Sequence, residues 1–291
     1  MWNDIEQAIR GSDPRFKARG RQSAGGGCIN QAWRLRGEER DYFVKLNDGA
    51  LADMFAAEAE GLAELAASGA VKVPTAVCHG VAGGSAFLVL EYLELRSGGG
   101  AADRKLGEQL AELHRVRRPY FGWGRDNTIG STPQPNAAGE DWIEFWADKR
   151  LGFQLRLAAE QGHGGRLQQL GERLIAGLPA LFGGYRPQPS LLHGDLWGGN
   201  YAADADGRPV IFDPACYYGD READLAMTEL FGGFGPAFYA AYRDAWPLDA
   251  GYAVRKTLYN LYHILNHLNL FGGGYGQQAA SMAERLLAEI G

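Results

Sequence analysis

The stretch Leu191–Asn200 reads LLHGDLWGGN. It packs a histidine, a carboxylate, an amide and three glycines into ten residues, with a tryptophan between the acid and the amide. Asp195 and Asn200 are five apart, and a second carboxylate, Asp213, follows thirteen residues beyond Asn200 at the end of the apolar run Pro209-Val210-Ile211-Phe212. Between them lies Asp206-Gly207, a hairpin signal. A hairpin returns its far end to its start, so the spacing predicts Asn200 and Asp213 side by side. A carboxylate at a strand end beside an amide is an oxygen set suited to Mg²⁺, which takes oxygen ligands and keeps some of its waters. Asp195 stands apart as a candidate base. Two further groups belong to the same chemistry. In Tyr42-Phe43-Val44-Lys45-Leu46, strand alternation puts Phe43 and Lys45 on one face. In the next helix Leu51, Phe55, Glu58, Leu62 and Leu65 recur at steps of four, three, four and three, which places Glu58 in the middle of an apolar stripe. A carboxylate there needs a partner, because burying an unpaired charge costs several kcal/mol. Lys45 is the nearest candidate, and the pair would hold the ammonium ready for phosphate oxygens. Gly25-Gly26-Gly27-Cys28 form a glycine loop. No GxxxxGK[ST] is present, and NQAWRL after the loop alternates like a strand, so neither a Walker loop nor a dinucleotide turn fits. A glycine loop between two strands can still offer backbone N–H groups to phosphates.

The elements that must position these residues follow from the pattern. The first ninety residues read as strands around the helix that carries Glu58. After SGGG at 97–100, helical periodicity dominates, over 140–160, 166–182, 222–231, 236–245, 250–270 and 277–290. The one β interruption expected there is the hairpin YAADADGRPVIFD. The chain has 291 residues, 46 % apolar and 22 % charged, with 29 basic and 35 acidic side chains, which suits one large domain or two lobes. With a net charge of −6 and no dense Lys/Arg run, nucleic acid is not an expected partner. No apolar window is long enough to span a membrane. Three cysteines, Cys28, Cys78 and Cys216, are widely spaced, which predicts reduced thiols and a cytoplasmic setting rather than a disulfide framework.

HGDLWGGN resembles the HxDxxxxN catalytic loop of protein-kinase-like small-molecule kinases, and IFDP resembles their metal-binding Asp segment. GGGCIN, the EAEGL helix, HGDLWGGN and FDPACYYGDREADLAMTELFGGF together resemble the fructosamine kinase (ketosamine-3-kinase) family along nearly the whole chain. That resemblance implies an α+β, two-lobed protein-kinase-like fold, with a small antiparallel-sheet N-lobe over 1–92 and a larger, mostly helical C-lobe over 93–291. It implies ATP with Mg²⁺ and phosphorylation of the sugar 3-hydroxyl of ketosamines. Carried onto these positions, it makes Asp195 the base, Asn200 and Asp213 the metal ligands, and Lys45 with Glu58 the ion pair at the phosphates. Gly25, Gly26, Gly27 and Cys28 would cover the phosphates, and Glu91 and Leu93 would offer backbone groups to adenine. Asp224 resembles the buried acid that braces the catalytic loop, and His193 a packing residue. Gly194, where protein kinases often carry an arginine, and the expected direct run from Asp213 into a helix imply that no activation loop is present.

Trp197 stands where protein kinases place a lysine. It is expected to offer a flat face to the acceptor, the alternative being a ring folded inward to pack the loop. Asn136, in the amide- and aromatic-rich segment TPQPNAAGEDWIEFW, is a second expected acceptor contact. Cys28 is expected to respond to oxidation, making the chain a monomer or a redox-dependent homodimer. Two other functions remain open at this point: a kinase of the same fold acting on an aminoglycoside, choline or homoserine, or a catalytically dead nucleotide-binding scaffold.

Overall fold

The computed structural model describes residues 1–25, 29–232 and 234–291. The chain folds as two compact units. One comprises Met1–Gly98 with Asn200–Pro214, the other Gly99–Gly199 with Ala215–Gly291.

The first unit opens with a helix not expected above, α1 (Trp2–Ser12). The strands β1 (Ala18–Ala24), β2 (Gln31–Gly37) and β3 (Tyr42–Asp48) precede α2 (Ala52–Ala67), and β4 (Ala76–Ala82) and β5 (Ser85–Glu91) follow it. The five strands form one antiparallel sheet in the order β1-β2-β3-β5-β4. Strand alternation gives the sheet two apolar faces. Tyr42, Val44, Leu46, Phe87 and Val89 pack with Ile5 and Ile9, both fully buried on α1. A helix this short is marginal alone, so its two-isoleucine stripe forms because the sheet covers it. Lys45 points to the opposite side, where α2 buries Phe55, Leu62 and Leu65. The expected stripe of α2 is the face it buries, and Glu58 lies within it.

The second unit begins with α3 (Ala101–His114). It continues through the short hairpin β6 (Asn127–Ile129) and β7 (Thr132–Gln134), α4 (Trp142–Phe145), α5 (Phe153–Glu160), α6 (Arg166–Gly177) and β8 (Ser190–Leu192). A π-helical stretch, Trp146–Gly152, joins α4 to α5, so 142–160 is one helical run. The chain then forms the hairpin β9 (Tyr201–Ala203) and β10 (Pro209–Ile211), which belongs to the first unit. It is held there by paired backbone bonds between Arg96 and Ala203 (2.8 and 2.9 Å), by Ile211 N–H to the Lys72 carbonyl (3.1 Å), and by a Lys72–Asp204 ion pair at 2.9 Å. The rest of the second unit is β11 (Tyr217–Gly219), α7 (Arg221–Thr228), α8 (Pro236–Ala245), α9 (Tyr252–Phe271) and α10 (Tyr275–Ile290).

Two sequence expectations change. The helical region carries two more β pairs than expected: β6 with β7, and β8 with β11. Strands of three residues are too short for a period of two to register. Nor does the chain run directly from Asp213 into a helix. β11 intervenes, and α7 starts at Arg221 on an Asp220 cap whose carboxylate accepts the Glu222 N–H at 3.1 Å.

Candidate active site

Lys45 is the centre of the first group. It lies in the middle of β3, 4 % exposed, and its Nζ donates to Glu58 Oε1 and to Asp213 Oδ1, both at 2.6 Å. The pair with Glu58 forms as the stripe required. Asp213 as a second partner was not legible in the sequence, because it arrives from 168 residues away. Burial works against the charge on Lys45, but Asp213 and then Glu58 outweigh it and hold its pKa above the ordinary lysine value. Burial raises the Glu58 carboxyl, against the pull of Lys45 and with the help of Asp213. One ammonium faces two carboxylates, so the cluster is one positive charge short.

Asp213 reaches Lys45 through an unusual backbone. At φ 58° it is the only non-glycine residue of positive φ among the described residues. Such a conformation costs of order 1–3 kcal/mol and persists where surrounding structure imposes it. Here β10 imposes it: Ile211 pairs with Tyr201, and Phe212 N–H donates to the Asn200 carbonyl at 3.1 Å. Asp213 and Asn200 therefore meet at the open end of the hairpin, as the Asp206-Gly207 turn predicts. Asp204 ties off the closed end, its carboxylate accepting the N–H groups of Asp206 (3.0 Å) and Arg208 (2.9 Å). Among the described residues no three His, Cys, Asp or Glu side chains gather as a metal cage. One carboxylate and one amide instead suit a hard cation that draws its other ligands from a bound substrate and water.

The second group is the loop His193–Gly199. Asp224, buried on α7, accepts the N–H of His193 on Oδ2 (2.7 Å) and that of Gly194 on Oδ1 (2.8 Å). Behind it stands a residue that the sequence alone did not single out. His114 Nε2 lies 3.2 Å from Asp224 Oδ2 and its Nδ1 lies 2.8 Å from the Tyr242 hydroxyl, to which Arg221 donates at 3.1 Å. Burial lowers the pKa of His114 against the pull of Asp224, so the ring is neutral. Its Nε2–H then faces the carboxylate and Nδ1 accepts from Tyr242. Burial alone would raise Asp224, but His114 and the backbone N–H of Gly194 bring it below the ordinary carboxylate range. The acid thus stays ionised and pins two consecutive amides. An isolated buried histidine at the end of α3 carries no sequence signal that could have marked this role. His193 packs fully buried, as expected, and its Nδ1 lies 3.3 Å from the Asp195 N–H.

Gly194 is required here. Its φ is +83°, and a β-carbon would stand 2.1 Å from the Ala215 carbonyl oxygen. Trp197 is 38 % exposed, the outward alternative, and its ring lies across Gly199, where a β-carbon would come within 2.2 Å of it. Asn136 does not fit the acceptor contact expected of it. It is fully buried, its Nδ2 donating to the Arg125 carbonyl (3.2 Å) and Asn127 Oδ1 (2.8 Å) and its Oδ1 accepting from Arg150 (2.8 Å). Trp142 is likewise buried, bonded to the Tyr259 hydroxyl at 3.1 Å. Gln134, Asn136 and Trp142 of that segment are framework because their polar atoms are satisfied inside, whereas the Trp146 indole N–H is buried without a partner among the described residues. Glu91 donates its N–H to the Thr75 carbonyl (2.9 Å) and accepts the Thr75 N–H and hydroxyl on its carboxylate (2.8 and 3.0 Å), which leaves only its carbonyl side for a base. Leu93 follows β5 outside any regular element. Gly25 precedes the loop, whose Gly26, Gly27 and Cys28 lie outside the described residues. Cys78 and Cys216 are not joined in a disulfide, and burial pushes the Cys78 thiol up to about 11.

A strained acid at a strand end, paired with a buried strand lysine and a helix glutamate, in a chain that also carries a loop pinned by a buried acid, defines a protein-kinase-like enzyme. A choline kinase from Streptococcus pneumoniae has this fold, with a TM-score of 0.67 at 15 % identity, covering 98 % of this chain and 99 % of its own. The family model for fructosamine kinase matches residues 1–289. A Synechocystis sp. protein assigned as a probable ketoamine kinase is 48 % identical over 98 % of this chain and 97 % of its own. A chloroplastic protein-ribulosamine 3-kinase from Arabidopsis thaliana is 44 % identical over 91 % of this chain and 82 % of its own. The chain belongs to the fructosamine kinase family, and it is a phosphotransferase. Among the described residues no helix is long and apolar enough to cross a membrane.

Proposed function

We propose that this chain transfers the γ-phosphoryl group of ATP to the 3-hydroxyl of a ketosamine, a ribulosamine or fructosamine. The observation that carries the reading is the position of Lys45, shared between Glu58 and Asp213 while Asn200 stands beside Asp213. The name of the Arabidopsis relative supplies the acceptor class.

Each residue then has a task. Lys45, oriented by Glu58, meets phosphate oxygens. Asn200 and Asp213 would hold Mg²⁺, whose charge would offset the excess carboxylate and neutralise the phosphates. Gly25 and the loop after it cover the phosphates, and the Glu91 carbonyl and Leu93 N–H meet adenine. Asp195 aligns the sugar hydroxyl and accepts its proton as the O3–phosphorus bond forms and ADP leaves. Phosphoryl transfer asks mainly for this positioning and charge balance. Trp197 gives the acceptor a flat face, which attracts sugar C–H groups and ammonium alike. The product carries phosphate on C3 beside an enolisable C2 carbonyl. It can lose phosphate by β-elimination, and the resulting C1 imine tautomer takes up water to release the amine as the sugar leaves as a dicarbonyl. We place the reaction in the cytoplasm, where free thiols stay reduced.

The test is ADP formation by the wild-type chain across a panel of synthetic ribulosamine, fructosamine, choline and an aminoglycoside. Turnover confined to ketosamines is expected, and turnover of another class alone overturns the acceptor. Asp195→Asn should keep MgATP binding and lose most transfer, whereas Asp213→Asn should weaken MgATP binding. Identical losses of nucleotide binding in both would overturn this division of roles.

A further inference from the structure

The loop pinned by Asp224 runs against a second loop, because a β-carbon on Gly198 would lie 3.2 Å from the Gly232 carbonyl oxygen. Phe231, the residue before Gly232, tilts against the ring of His267 on α9 with centroids 4.5 Å apart. Phe271, 54 % exposed, and Tyr275 complete the surround, at 5.5 and 5.2 Å from the same ring. His267 is half-buried, and its Nδ1 lies 2.8 Å from the His263 carbonyl. A carbonyl can only accept, so Nδ1 carries the hydrogen and Nε2 presents a lone pair. Among the described residues Nε2 has no hydrogen-bond partner, and it is not one of the sealed buried atoms that lack one. A histidine used only for packing gains nothing from an open acceptor held in one tautomer among three aromatic rings. Such a group suits a ligand that brings an O–H or N–H donor and a cation to aromatic faces.

We infer that His267, walled by Phe231, Phe271 and Tyr275, is a recognition residue for the acceptor, its Nε2 accepting a hydrogen bond from the secondary ammonium or a hydroxyl of the ketosamine. This rests on the proposed acceptor class and adds to it the residue that selects for that class. Burial lowers the pKa of His267, which keeps the ring uncharged and able to receive a cation.

The test compares His267→Phe, which keeps the ring packing and removes Nε2, with His267→Gln, which restores an acceptor near the same place. In the phenylalanine variant the KM for ribulosamine should rise about fivefold or more, the scale of one lost hydrogen bond. The KM for ATP should stay unchanged. The glutamine variant should recover to within about twofold of wild type. Phe271→Ala, at an exposed ring, should raise the ribulosamine KM in the same direction with little change in melting temperature. If wild type turns over no ketosamine, the functional reading fails. If wild type does so and His267→Phe leaves the ribulosamine KM unchanged, or raises both KM values in parallel, this inference alone is overturned.

Discussion

Lys45 is buried between two carboxylates, and that sets what its loss would do. Lys45→Met removes the proposed phosphate contact and should lower kcat at least about tenfold. It should also destabilise the fold, more than its place in the sequence suggests, because Glu58 is left buried without a partner. Breaking a buried pair typically costs about 3–5 kcal/mol. The sign with pH follows from the direction at Glu58, whose carboxyl is already raised by burial. An acid with a higher pKa folded than unfolded takes up a proton on folding, so stability rises as pH falls from the folded value toward about 4.3. The melting-temperature deficit of Lys45→Met against wild type should therefore be smaller at pH 5 than at pH 8. An equal deficit at both would mean that Glu58 finds another partner. Gly194 makes the complementary case. Alanine there meets both a positive φ and the Ala215 carbonyl, at a combined cost of roughly 2–4 kcal/mol. Gly194→Ala should lower the melting temperature by about 5 °C or more, and an unchanged value would show that the loop can shift.

At the scale of elements, the hairpin of β9 and β10 decides whether Asn200 and Asp213 meet. Its closed end depends on Asp204, which Lys72 first and the Arg208 N–H second hold at about 2. The pKa is depressed in the fold, so the stabilisation is complete above the ordinary carboxylate value of about 4 and is lost as pH falls toward 2. Hydrogen-exchange protection of Ala202, Ala203, Val210 and Ile211, corrected for intrinsic rates, should drop across that window in wild type. In Asp204→Asn, which keeps the turn acceptor and lacks the charge, protection should be lower at neutral pH and flat across the window. A flat wild-type profile would remove the ion pair from the account. The pattern of α2 was legible because five residues at helical spacing included one carboxylate that had to be paired. The helix α1 was not read from the sequence although Trp2, Ile5, Ala8 and Ile9 fall at helical spacing; so short a helix is marginal alone, and it forms because the sheet covers that stripe.

For the whole molecule, the division into two compact units separates the groups by their proposed tasks. Lys45, Glu58, Asn200 and Asp213 all belong to the first unit, and Asp195, Trp197 and His267 to the second. MgADP should accordingly slow exchange first in β3, α2 and the 200–214 hairpin. A ketosamine should slow it at 194–199 and 229–232. Protection by MgADP confined to the second unit would contradict the roles given to Lys45 and Asp213.

The candidate site residues could be read in one dimension because their chemistry is local. Asp195 and Asn200 share one loop, a turn signal brings Asp213 back to Asn200, and a helical stripe betrays Glu58. What depended on the tertiary structure was partnership over long separations. Asp213 shares Lys45 with Glu58, His114 backs Asp224 from another helix, and the hairpin at 200–214 joins the unit formed by the first 98 residues through Lys72 and Arg96. Composition likewise could not tell that Asn136 and Trp142 are framework and Trp197 is surface. All three are polar-tipped groups that serve equally well in either place, and only the supply of internal hydrogen-bond partners decides which are buried.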